Sequence, residues 1–179
     1  MLLETEIPVL DNLEFLPYLD NQGLLDENLS GKIGIYAIFD QNKNLQFVGY
    51  SRDIYLSLKQ HLVRQPQKCY WLKLQTIDRP SRSILESTKQ QWITENKTIP
   101  EGNSEQENLW TQPIDAKLTM TDEDKLSYNS NDELGQIKFL KSIAKRLETQ
   151  ILETLSDRGV KMEIRFNPKL KEQGLLDLK

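Results

Sequence analysis

The chain has 179 residues with 23 Lys plus Arg against 27 Asp plus Glu, a formal net charge of -4, which argues against a general nucleic-acid coat. Its one cysteine, Cys69, excludes an internal disulfide and a thiolate metal cluster. No window approaches the ~20 apolar residues that span a bilayer, and the N-terminus lacks a basic region followed by an apolar stretch, so the expectation is a soluble protein of the cytoplasm or of a compartment like the plastid stroma.

Residues 1–30 alternate apolar and acidic residues, and Pro8 and Pro17 break any long helix. Ile7, Val9, Leu10, Leu13, Phe15, Leu16 and Tyr18 are available to cover the flank of a sheet. Lys32 to Phe39 is an apolar run rich in β-branched and aromatic residues, closed by the turn formers Asp40 to Asn44. It predicts a buried strand entering a hairpin, with Leu45 to Ser51 returning. Ile54, Leu58 and Leu62 then recur every four residues, which predicts a helix with one face on the sheet, capped by Ser51 or Asp53. A strand over Lys68 to Gln75 and a helix over Ser83 to Glu95 follow. Cys69, on that strand, is expected to be a small buried core residue.

Basic residues dominate from Arg52 to Lys89 and acidic residues from Glu101 to Gly135. Arg52, Lys59, Arg64 and Arg82 on the 52–89 face are the candidate contacts to DNA or RNA phosphates. The alternative is an ordinary solvated face. Glu101 to Asn131 is polar and poorly periodic, which predicts a long connector anchored by Leu109, Trp110 and Pro113, with Trp110 as a staple onto the core. Ser130 and Glu133 form a candidate capping box for a long helix whose apolar stripe runs from Leu134 to Leu155 and ends at Gly159. Any exposed part of that stripe is the candidate surface for a protein partner. Val160, Met162, Ile164 and Phe166 alternate with charged residues, which predicts a half-buried strand.

The order of these elements carries a resemblance. Gly34-Ile35-Tyr36 on the first strand, Phe47-Val48-Gly49 on the second, His61 on the helix and the Pro100-x-x-Asn103 ending resemble the GIY-YIG nuclease family over roughly residues 30–103. The chain is also similar to a group of little-characterised GIY-YIG-like proteins of cyanobacteria and plastids. The resemblance implies an α+β fold: a small, mainly antiparallel three-stranded sheet flanked by helices, with an added C-terminal long helix and strand. The implied organisation is an N-terminal flank over 1–30, the GIY-YIG-like domain over 31–103, an acidic connector over 104–130 and a helix-strand extension over 131–179.

Departures from the family pattern imply a degenerate site. Tyr50 stands where Lys is common, Ser57 where an Arg is expected, and Lys89 or Gln91 where the metal-binding Glu would be. Phe47 has no hydroxyl, Ser57 cannot grip a phosphate as a guanidinium does, and a protonated Lys cannot hold a cation that wants oxygen ligands. The first expectation is therefore a non-catalytic nucleic-acid-binding or protein-adaptor module with no metal or other cofactor. The alternative is an active endonuclease that cleaves DNA with Mg²⁺ or Mn²⁺, using Tyr36, His61 and Glu86.

Overall fold

The hairpin is the frame on which the first half of the molecule is built. β2 (Ile33–Phe39) and β3 (Leu45–Ser51) pair antiparallel from Gly34 opposite Ser51 to Ile38 opposite Phe47. Asp40 closes their turn by accepting from the amides of Asn42 and Asn44, each at 2.9 Å, the local capture of backbone donors that makes Asp a turn former. The structure, a computed structural model, describes residues 7–179, so the first six residues of the predicted 1–30 flank lie outside the described residues.

Contacts divide the chain into two compact units, Met1–Thr111 and Gln112–Lys179. The first holds a four-stranded sheet in the order β1 (Leu16–Pro17), β4 (Trp71–Ile77), β2, β3, with every pairing antiparallel. The coarse α+β class is as read from the sequence. The strand count differs by one, because the flank contributes β1, whose two residues sit opposite Leu72 and Trp71. Pro17 has no N–H to donate, so this short strand fits at the edge of the sheet.

Strand alternation gives the sheet two distinct faces. Ile35, Ala37, Phe39 and Val48 join Leu85, Trp92 and Ile93 of α2 (Arg82–Glu95) and Leu10 in one core, with Ile7, Leu13, Phe15, Tyr50 and Trp71 packed against it. The opposite face carries Tyr36, Ile38 and Phe47. There α1 (Ile54–Arg64) brings its buried Leu58 and His61, and Asp53 caps the helix by accepting from the Leu56 amide. Tyr18 donates its hydroxyl to the Leu58 carbonyl, tying the N-terminal flank to α1. α3 (Glu107–Thr111) ends this unit.

In the second unit, β5 (Ile114–Asp115) pairs with β6 (Leu175–Leu176). The acidic stretch predicted as a connector is largely ordered, holding α3, β5 and α4 (Asp122–Ser130). α4 lacks an apolar period and is secured instead by a capping box between Thr121 and Asp124. Arg146 grips the Asp124 carboxylate through two nitrogens at 3.3 and 2.7 Å, and this hydrogen bonding holds the carboxyl down at about 2.

α5 (Glu133–Asp157) is the predicted long helix, burying Leu140, Ile143, Ala144 and Leu155. Its cap is Asp132, which accepts from the Gly135 amide at 2.8 Å, and not Ser130. The Ser130 hydroxyl is already committed to the Ser127 carbonyl as the last residue of α4. The strand predicted over Val160 to Phe166 does not form. Met162 and Ile164 are half-buried as the alternation implies, yet the chain pairs only around the isolated bridge from Phe166 to Leu178. A ladder needs a neighbour of matching length. A short helix, α6 (Pro168–Lys171), follows with Asn167 as its cap.

Candidate functional site

Tyr36 and His61 come together from β2 and α1, 25 residues apart, with the tyrosine hydroxyl 2.8 Å from His61 Nε2. Gly49 lies opposite Tyr36 on β3, where a Cβ would stand 2.9 Å from that hydroxyl and 2.6 Å from the Phe47 ring, so glycine is what leaves room for the pair. The Ser57 hydroxyl, also on α1, donates to Ser51 Oγ at 2.7 Å and favours the ionised form of Tyr36. Burial outweighs it and pushes the phenol above its ordinary value.

The pair is sealed. Tyr36 is 3% and His61 4% exposed, because Phe47 packs on His61 and Trp110 stacks flat on Phe47, with centroids 5.2 Å apart and planes 1° from parallel. Burial, assisted by the Arg64 charge and opposed by the Trp110 backbone, lowers His61 to about 3. The imidazole is therefore neutral at ordinary pH. The indole nitrogen of Trp110 is buried without a hydrogen-bond partner.

Glu86 stands elsewhere. It lies on α2, on the opposite side of the sheet, where it accepts from Gln90 Nε2 at 3.1 Å. Hydrogen bonds first from Gln90 and then from Tyr50 hold its carboxyl below the usual range. Lys89 Nζ is 5.9 Å from the Tyr50 ring centroid on that side, and Arg82 acts on both Tyr50 and Glu86. The structure thus joins Tyr36, His61, Phe47 and Ser57 on one face and Tyr50, Glu86, Lys89 and Arg82 on the other. Among the described residues no group of three or more His, Cys, Asp or Glu side chains is placed to hold a metal ion.

Gly34, Ile35 and Val48 serve the sheet. A Cβ on Gly34 would lie 2.3 Å from the Gln75 carbonyl oxygen, while Ile35 and Val48 are fully buried. Asn103 is a backbone mimic at the edge of β3, its amide accepting from Val48 N and donating to Val48 O, each at 2.8 Å. Replacing Asn103 by Leu leaves both groups unanswered, and a loss of about 1–3 kcal/mol is expected. A shift of the urea midpoint at unchanged slope checks this.

Several residues of the basic run are engaged within the fold. Lys73 is buried, donates to the Leu10 carbonyl at 3.1 Å and lies 4.3 Å from the Phe15 ring centroid. Arg64 donates to the Trp110 carbonyl at 2.9 Å and Lys68 to Gln106 at 2.9 Å. Arg52 and Arg82 are exposed and Lys59 half-buried. The sequence contained no sign of the buried lysine beyond its inward strand position, and none that Trp110, 49 residues beyond His61 in the chain, closes over it.

Cys69 is the chain's one thiol. It is 0% exposed and its sulfur donates to the His61 carbonyl at 3.6 Å. A small antiparallel sheet with helices on both faces, a closed tyrosine-histidine pair and a buried thiol characterise this α+β protein.

No family model matches the chain. Among curated proteins it is similar to the bifunctional monothiol glutaredoxin-S16, chloroplastic, of Arabidopsis thaliana, with 30% identity over 95 residues, 51% of this chain and 32% of that protein. The chain spans about a third of the length of this relative. The finding corrects the expectation of a GIY-YIG nuclease: the relative is named as a bifunctional monothiol glutaredoxin, and no family model supports a nuclease or nucleic-acid-binding module. Among the described residues, no helix is long and apolar enough to cross a membrane.

Proposed function

We propose that this chain is a redox-linked accessory module, related to part of a bifunctional monothiol glutaredoxin, that does not perform the thiol step itself. The observation that carries this reading is the complete burial of Cys69, the one cysteine in 179 residues. Thiol-disulfide exchange begins with attack by a thiolate, which needs an accessible sulfur and a setting that favours ionisation. Cys69 has neither. The similarity to a redox protein together with the limited share of that relative covered favours a role beside a thiol supplied by another protein or domain.

Contact with such a partner would use the C-terminal helix α5, where Leu134 and Ile137 stay exposed despite lying on its apolar stripe. The relative's name gives a chloroplastic setting, which favours a plastid or a comparable soluble compartment for this chain. A glutathione-dependent mixed-disulfide reduction assay tests the reading. The chain alone is expected to give the uncatalysed rate, and immobilised chain to retain a separately supplied monothiol glutaredoxin. Turnover by the chain alone that Cys69→Ser abolishes would overturn the first point; no retention would overturn the second.

A further inference from the structure

We propose that Ser104 to Thr111 is a proton-responsive lid, hinged at Asn103, whose opening admits water to the Tyr36–His61 pair. This goes beyond the redox-linked reading and stands or falls separately from it. The segment's hold is uneven. Asn103 is fixed to the Val48 backbone by two hydrogen bonds, whereas beyond it the lid residues are exposed or half-buried up to Trp110. Its tethers come from α1 and the residues just after it: Arg64 to the Trp110 carbonyl, Gln65 to the Leu109 carbonyl at 3.5 Å and Lys68 to Gln106.

Closure has a specific cost. With Trp110 inserted, its Nε1 is buried with no partner and the His61 ring is shut off from water, and polar groups buried in that way oppose the state that buries them. Opening returns both to solvent. The stacked Phe47–Trp110 rings and the tethers hold the lid shut against that pull, so the balance is set to respond to a change in one group.

The responsive group is the imidazole. From β2 it faces Tyr36, whose phenol is neutral; from its own helix, Arg64; after the helix, Cys69, bonded to its carbonyl; from β3 Phe47 and from the lid Trp110. Arg64 is the charge among these that acts on it, and it disfavours a second positive charge in the closed state. In the closed state His61 stays neutral down to about 3, while a hydrated histidine titrates near 6.5. As pH falls from 6.5 towards 3, only the open state takes up the proton. Opening is therefore favoured by acid, and pH has no effect through this group above about 7.

The chain has one histidine, so the test is unambiguous. Hydrogen exchange corrected for intrinsic rates is expected to show protection of the amides of residues 104–111 falling about 20-fold between pH 7 and pH 5, with β2 amides unchanged. In His61→Phe and His61→Gln the drop should be less than about twofold, because the titrating group is gone. Unchanged protection in the wild type, or an equal drop in folded variants, would overturn the lid. Should neither variant fold, NMR titration of the ring protons of His61 decides: a midpoint between 3 and 6.5 that tracks the loss of lid protection supports it. A ring that keeps its neutral shift while the lid opens overturns it.

Discussion

Replacing Trp92 by alanine is expected to lower the stability of the Met1–Thr111 unit by about 3–5 kcal/mol, the cost of emptying a buried aromatic site. Trp92 is 0% exposed and belongs to the core that joins α2 to Ile35, Ala37 and Val48. Its indole also donates to the Pro8 carbonyl at 3.2 Å, so the variant leaves that carbonyl short of a partner and frees the N-terminal flank. Urea unfolding followed by circular dichroism measures the loss. A change under about 1 kcal/mol would mean that this core relaxes around the cavity far better than tight packing allows.

Gly34→Ala is the second large effect. The new methyl would stand 2.3 Å from the Gln75 oxygen and 2.9 Å from Thr76 Cα, and both are backbone atoms of the neighbouring strand. A flexible side chain could turn away, but a paired strand cannot. The expected loss lies at or above the upper end of the ~1–3 kcal/mol typical of overpacking. Amide exchange along β2 and β4 should quicken together, since Gly34 pairs with Thr76. An unchanged melting temperature would contradict the pairing.

The elements that were legible in the sequence are those whose burial repeats with a period. β2 and β3 announce themselves by an apolar run and a turn at Asp40, and α1 and α5 by apolar residues at helical spacing. β1 was not legible, because two residues with a proline carry no pattern and the strand exists only through its partners Trp71 and Leu72. α4 was missed for the opposite reason: it is mostly polar, its one leucine is exposed, and its order comes from end-capping and the Arg146–Asp124 pair, 22 residues apart. The run from Val160 to Phe166 alternates correctly, but strand formation is decided by a neighbour that alternation does not reveal.

At the candidate site, the spacing of tyrosine and histidine placed both on paired elements, and they meet. The resemblance groups Glu86 with them as a carboxylate one turn before Lys89, yet α2 packs on the other face of the sheet, and the sequence does not say which face a helix covers. Trp110 was expected to staple onto the core; that it seals the tyrosine-histidine pair depends on a contact across 49 residues. The resemblance to a nuclease family rests on two tripeptides, their order, His61 and a Pro-x-x-Asn ending, which describe a strand-helix scaffold well and a chemistry poorly.

The account rests on one thiol being shut inside the fold. Titrating the native chain with a chromogenic disulfide reagent at mildly alkaline pH, then repeating the titration in denaturant, tests this most directly. The account predicts no thiol released from the folded chain on the timescale over which a free cysteine reacts fully, and one equivalent once the chain unfolds. One equivalent released by the folded chain at the free-cysteine rate would contradict it.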